Sequence, residues 1–376
     1  LKTLLRGSIH GVNDADSLLV DGDTIIWVGR GQPPERPDDE VVTGPGEMIS
    51  PGFIDLQVNG YAGYDAGAGA DAIAAISEAL PASGVTAFLP TLISSPVEVC
   101  AAFVASVGAA AESRGARVLG AHVEGPFINP SFQGAHLRDH LSDPTPEKID
   151  VFLRARPRMV TLAPELPGAL TAIERLHQAG IVVSAGHTGA DFELGRTAID
   201  AGIRFGTHIY SAMPPVHHRN PGIALALLLD SRVTVGLIAD GVHVNPAVCE
   251  QLVRIKGTSR IALTTDQTSA AGSPAGTYSL SGRSVVSDGH VVRLDDGTLA
   301  GSAAKMEELV RLMASLPGMT PNRAVELATG VPARVLGERR LGRIREGACS
   351  DIVVLDPDLR VRLTMVRGTV QFRRRS

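Results

Sequence analysis

The sequence predicts an α/β fold: a (β/α)8 barrel of the TIM type, with a small β-sandwich domain built from both chain ends. Three observations carry this expectation. Apolar strand-like runs alternate with Ala/Leu-rich helical stretches through the middle of the chain. Eight such runs occur, and their interiors are apolar throughout, as in parallel strands buried on both faces. Both ends instead carry short strands and turns. An open doubly wound sheet is the competing architecture, because it uses the same rhythm.

Residues 1–47 contain the strand-like runs "SLLV" and "TIIWVGRG", and "VDGDTI" between them is a hairpin signal. The closing segment "SDIVVLDPDLRVRLTMVRGTVQF" has the same character. Residues 1–47 and 340–376 are therefore expected to pair into one small domain, leaving 48–339 for a catalytic barrel. The barrel strands are expected in "MISPGFIDLQV", "TAFLPTL", "RVLGAHVEG", "MVTLAPE", "IVVSAGHT", "FGTHIYSAM", "VTVGLIADG" and "RIALTTDQT". Helical stretches such as "DAIAAISEALPASG" and "GALTAIERLHQAG" separate most of them, and several end in Gly, as helix C-termini do. After the eighth strand, "GTYSLSGRSVVSDGHVVRLDDGTLAGS" breaks into hairpin-like pieces. Two helices follow, the second with Thr320 as N-cap and Pro321 at its first position.

The chain has 376 residues, 44% of them hydrophobic, which is enough for a sizeable core. A net charge of −5 gives no reason to expect nucleic acid as a partner, and the basic end "QFRRRS" reads as a solvated tail. Cys100, Cys249 and Cys349 are scattered thiols without CxxC spacing, which suggests a reducing compartment. The first residues, "LKTLLRGSIHG", turn polar too early for the apolar core of a signal peptide, although no Met stands at position 1. No apolar run approaches the roughly 20 residues that span a bilayer. A cytoplasmic location without membrane contact is the expectation.

In such a barrel, reactive groups lie where the strands end. The expected strand ends collect Gln57 and Asn59, His122 and Glu124, His187, His208, Asp240 and His243, and Asp266. A lone strand-end His is more often a satisfied core residue; a set converging on one face points to a site. Glu124, His187 and His208 form the best metal set, because one carboxylate and two imidazoles leave an open position. One divalent ion is expected per subunit, zinc first, with iron or another divalent ion open. Asp266, in "TTDQTSAAG", suits a general base. His136, on the loop after Glu124, is a candidate donor to a substrate carbonyl, although a loop His by itself is usually just surface. Arg219, in "PPVHHRNPG", suits an anion because its planar fork matches phosphate. The Gly-rich "AGAGAD" lacks both a preceding strand and a Lys-Ser/Thr ending, so it is no nucleotide loop.

"PGFIDLQVNG", "GAHVEGPFINP", "SAGHT", "THIYSAMPPVHHRNPG", "IADGVHV", "TTDQTSAAG" and "LAGSAAKM" together resemble the N-acetylglucosamine-6-phosphate deacetylases of the amidohydrolase superfamily. The resemblance runs in order from about Ser50 to Met306. It implies a metal at Glu124, His187 and His208, Asp266 as general base and then acid, and His136 polarising the acetamide carbonyl. It places the sugar phosphate on His243 and Arg219, with Asp240 and Gly241 beside them. Backbone near Ala135, Ser211 and Ala212 would line the site, and the segment Leu299, Ala300 and Gly301 would close over the sugar. In the family this arginine reaches the neighbouring subunit's site, which implies a homodimer. Members with His-x-His at Gln57 and Asn59 bind two metals, whereas the Gln-x-Asn form holds one.

Two departures stand out. Ser211 replaces the usual Asn, and Ser131, Phe132 and Gln133 stand where many members are basic. Both remove polar reach or charge, so a related or non-phosphorylated N-acetyl amino sugar stays open as substrate. Another metal amidohydrolase is a second reading; it usually needs His-x-His and a bridging Lys, and strand four is expected to end at Glu165. A non-catalytic binding protein on the same scaffold is a third.

Overall fold

Parallel strands buried on both faces need apolar residues at consecutive positions, and the middle of the chain supplies them eight times. The computed structural model describes residues 1–374; the last two residues of the basic tail lie outside the described residues. The barrel strands are β1 Phe53–Val58, β2 Val85–Ile93, β3 His122–Glu124, β4 Met159–Leu162, β5 Val182–Ala185, β6 Phe205–Gly206, β7 Thr234–Leu237 and β8 Ile261–Leu263. Each pairs in parallel with the next. A parallel bridge between Val58 and Gln267 closes the ring from β8 back to β1. This is the expected barrel, not the open sheet.

A helix follows each strand: Ala70–Ala79, Val97–Ala109, Pro146–Ala155, Ala169–Gln178, Phe192–Ala201, Gly222–Leu229, Pro246–Lys256 and Met306–Ser315. Their apolar faces and the strands share one continuous core, from Phe53 and Phe88 to Phe205 and Met306. Thr320 caps the helix Pro321–Ala328 through Arg323 N, as its sequence context suggests.

The chain ends form two sheets. One orders the strands Thr24–Gly29, Ser17–Asp21, Lys2–Arg6 and Asp39–Val42; the other orders Ser8–Ile9, Met48–Pro51, Ile352–Leu355, Val361–Val366 and Thr369–Arg373. Leu5, Leu18, Ile49, Ile352 and Met365 lie in the apolar layer between them, making a β-sandwich. The single strand expected over "MISPGFIDLQV" is in fact two. Met48–Pro51 pairs antiparallel with Ile352–Leu355 in the sandwich, and Phe53–Val58 begins the barrel. The break falls at Gly52, where a Cβ would come within 2.1 Å of Thr86 Oγ1. Arg117 bonds Asp351 and Asp23, tying barrel to sandwich.

The hairpin-like insert after β8 is a four-stranded antiparallel sheet, Gly276–Leu280, Arg283–Ser287, Val291–Arg293 and Leu299–Ser302. It packs beside the loop after β3 through a small apolar cluster that includes Ile93, Ala135, Leu280 and Ala300.

Candidate active site and metal centre

β3 presents His122 and Glu124 on one side, two residues apart. They end up at different depths. His122 is buried between the Leu56 carbonyl at 3.0 Å and Thr161 Oγ1 at 2.8 Å. Burial pushes its pKa down to about 4, so it is a neutral core histidine and not part of the mouth. Glu124 reaches the rim.

There Glu124 Oε1 lies 2.9 Å from His208 Nε2 and 3.2 Å from His187 Nε2, and the two nitrogens are 3.1 Å apart. Donor atoms around one ion at bond lengths of about 2.1 Å lie about 3.0–3.5 Å apart, depending on coordination number. The three donors therefore fit a single divalent ion. Burial would raise the Glu124 carboxyl, but bonds from His187 and His208 outweigh it and hold the group well below the usual carboxylate range. His187 Nδ1 donates to the Phe132 carbonyl at 2.8 Å, which leaves Nε2 of the neutral ring as the lone-pair atom. His136 adds a fourth polar group, with Nε2 3.7 Å from Glu124 Oε2. Glu124, His136 and His187 offer ligand atoms within 4.8 Å of one another, so geometry alone admits two triads.

Gln57 and Asn59 sit at the end of β1 beside this cluster. Gln57 Nε2 donates to Glu124 Oε2 at 3.0 Å and to Asp266 Oδ1 at 2.9 Å; Asn59 Nδ2 donates to Asp266 Oδ1 at 2.7 Å. Carboxylates only accept here, so the amide nitrogens must face them. Gln57 Oε1 and Asn59 Oδ1 are then buried without partners among the described residues. The amides act as donors to the carboxylates.

Asp266 follows β8 and faces the same space. Burial and the nearby Glu124 charge push its pKa up to about 6, against the pull of His208, His243 and Asn59. Both amide bonds fall on Oδ1, and no hydrogen bond among the described residues reaches Oδ2. The segment is held by Asp55. Its Oδ1 takes Thr265 N and Thr264 Oγ1, each at 3.2 Å, and its Oδ2 takes Thr265 Oγ1 at 2.6 Å. His187, His208, Tyr210, Ala212 and Asp266 all adopt positive φ, between 25° and 75°, so backbone strain concentrates at this rim.

A cavity of about 420 Å³ opens over the cluster. Its wall includes Asn59, Asp266 and His243, and the expected substrate contacts Ala135, Ser211, Ala212, Leu299 and Gly301. Ser131 and Phe132 line it too, along with Thr298 and Leu280 of the insert. Four expected contacts do not line it in this chain. Asp240 spends its carboxylate on the His243 turn: Oδ2 lies 2.7 Å from His243 Nδ1, and Oδ1 takes the Val242 and His243 amides. It positions His243 instead. Gly241, in that turn, is outside the wall. Ala300 points away from the cavity because side chains alternate along Leu299–Ser302, and it packs under the insert. Arg219 is exposed on the loop after His208, with Nη1 2.8 Å from His218 Nε2. Glu165 lies three residues beyond the end of β4 and takes Asn129 Nδ2, Thr188 Oγ1 and Gly189 N, so it ties two site loops together.

A family model described as "Amidohydrolase family" matches residues 48–370. An N-acetylglucosamine-6-phosphate deacetylase from Bos taurus is 36% identical over 369 residues, covering 91% of this chain and 90% of that one. An N-acetylgalactosamine-6-phosphate deacetylase from Escherichia coli O157:H7 is 37% identical over 329 residues, 86% and 87% of the two chains. Among solved structures, a mutant N-acetyl-D-glucosamine-6-phosphate deacetylase from Mycobacterium smegmatis in complex with N-acetyl-D-glucosamine-6-phosphate superposes with a TM-score of 0.91 at 34% identity, covering 99% of each chain.

Proposed function

The chain belongs to the amidohydrolase family, and on that premise we propose that it hydrolyses the acetamide of N-acetylglucosamine 6-phosphate to acetate and glucosamine 6-phosphate. The observation that carries this reading is the meeting of Glu124, His187 and His208 within 3.2 Å of one another, beside Asp266, under a cavity of sugar size.

Glu124, His187 and His208 would hold one divalent ion, with zinc suited to the carboxylate-imidazole set. Bound there, such an ion supplies Lewis acidity toward a carbonyl and lowers the pKa of water toward about 7. Asp266 accepts the proton of the attacking water on Oδ2, the oxygen its amide partners leave free. It then returns the proton to the sugar nitrogen, because an amine leaves readily only when protonated. His136 donates to the acetamide oxygen, and burial, then the neighbouring His187, keeps its pKa well below the usual imidazole value. His243, braced by Asp240, bonds the sugar or its phosphate. Arg219 faces solvent in one chain, and in a homodimer it would supply charge to the neighbouring phosphate site. The barrel, from Phe53 to about residue 339, would form the catalytic domain, with Met48–Pro51 left to the sandwich. The three thiols Cys100, Cys249 and Cys349 are free and buried, which suits a reducing, cytoplasmic place.

The C4 epimer, N-acetylgalactosamine 6-phosphate, is the second reading, because the E. coli relative carries that name at 37% identity. Acetate release from each sugar phosphate by the metal-replete chain tests both readings.

A further inference from the structure

The four polar groups at the rim admit two metal triads, and the partner of one ring nitrogen decides between them. His136 Nδ1 lies 3.1 Å from the main-chain N of Ser94, at the end of β2, and 2.7 Å from Ser94 Oγ. A main-chain amide only donates, so Nδ1 must be the accepting nitrogen, and the hydroxyl donates to it as well. The proton of the neutral ring then sits on Nε2, the atom that faces Glu124 Oε2 at 3.7 Å. A protonated nitrogen cannot ligate a cation. His187, whose ring centroid lies 4.3 Å away, has the opposite arrangement, because its Nδ1 meets a carbonyl. Two adjacent imidazoles are thus set as opposite tautomers by their main-chain partners.

We infer that Ser94 is a positioning residue: its amide and hydroxyl together fix His136 as an Nε2–H donor and keep it out of the metal triad. The inference rests on the deacetylase reading and deepens it, since the donated hydrogen is the one that would meet the acetamide oxygen. The surroundings hold both partners in register. The Ser94 carbonyl accepts from His140 Nδ1 at 3.1 Å, on the same loop as His136. Arg283 Nη1 from the insert also fastens that loop, donating to the Ala135 carbonyl at 2.7 Å, with the His136 carbonyl at 3.4 Å. Position 125 must stay small for the hydroxyl to fit. A Cβ at Gly125 would come within 2.1 Å of Ser94 Oγ, and its φ of +87° already favours glycine.

The test reads the tautomer and the rate separately. Nitrogen-15 spectra of histidine-labelled protein, metal-free and zinc-loaded, are expected to show His136 with a bare Nδ1 and a protonated Nε2; His136→Gln identifies its signals. A proton on Nδ1 overturns the inference, whether or not the chain is active. Ser94→Ala is expected to lower kcat about tenfold or more, the scale of one lost hydrogen bond, while KM and metal content hold. Ser94→Thr, which keeps the hydroxyl, is expected to recover most of that loss. Wild-type kcat in Ser94→Ala, or no recovery in Ser94→Thr, contradicts it. A chain that releases no acetate from any sugar overturns the deacetylase reading instead, and the spectra still decide this one.

Discussion

Gln57 Nε2 bridges Asp266 Oδ1 at 2.9 Å and Glu124 Oε2 at 3.0 Å, so a single amide joins the proposed base to the proposed metal ligand. A neutral donor at this position aligns two carboxylates without neutralising them. An imidazole lone pair here, and another at Asn59, would instead face the same space as ligands. The wild-type chain is therefore expected to hold about one tight divalent ion, and Gln57→His with Asn59→His about two, by elemental analysis after dialysis. A ratio that stays at one in the double variant contradicts this account of the two amides.

Replacing Asp266 with Asn keeps an oxygen that can accept from Gln57 and Asn59 but removes the proton acceptor. kcat is expected to fall by about a thousandfold or more, with metal content unchanged. Turnover near the wild-type rate would remove Asp266 from the mechanism.

Arg219 is exposed in one chain, so its effect should depend on assembly. Light scattering is expected to give twice the 39.3 kDa of one chain. Arg219→Ala is expected to raise KM for the phosphorylated sugar about tenfold and leave kcat within about threefold. A monomer, or a KM unchanged by the substitution, ends the shared-site reading.

Burial pushes the Asp55 carboxyl up to about 6, above its ordinary value of 3.8. A raised acid favours folding while it is protonated, so its contribution is complete below its unfolded pKa and fades as pH rises through about 6. Asp55→Asn cannot ionise and escapes that decline. Relative to wild type, the variant is expected to gain on the order of 3 kcal/mol in unfolding free energy between acid and neutral pH. Urea midpoints at several pH values read the difference; a gap independent of pH contradicts the assignment.

The strands were legible because buried parallel strands leave long apolar runs, and the strand-end polar set was legible because such residues interrupt those runs. Depth was not legible: His122 and Glu124 sit two apart on one strand, yet one is core and the other rim. The break at Gly52 was hidden because the partner that claims Met48–Pro51 comes from the far end of the chain. Alternation along Leu299–Ser302 was open to reading and separates Leu299 and Gly301 from Ala300. Ser94 and Arg283 left no local signal, since each acts through a bond to a loop distant in sequence; Glu165 was legible as a strand end, but not the loops it ties.

Acetate release from N-acetylglucosamine 6-phosphate, measured beside the unphosphorylated sugar on the metal-replete enzyme, decides whether the chain is a sugar-phosphate deacetylase. Rapid release from the 6-phosphate is expected, with kcat/KM about a hundredfold or more above that for the free sugar. No release from the 6-phosphate, or equal rates on both sugars, would contradict that expectation.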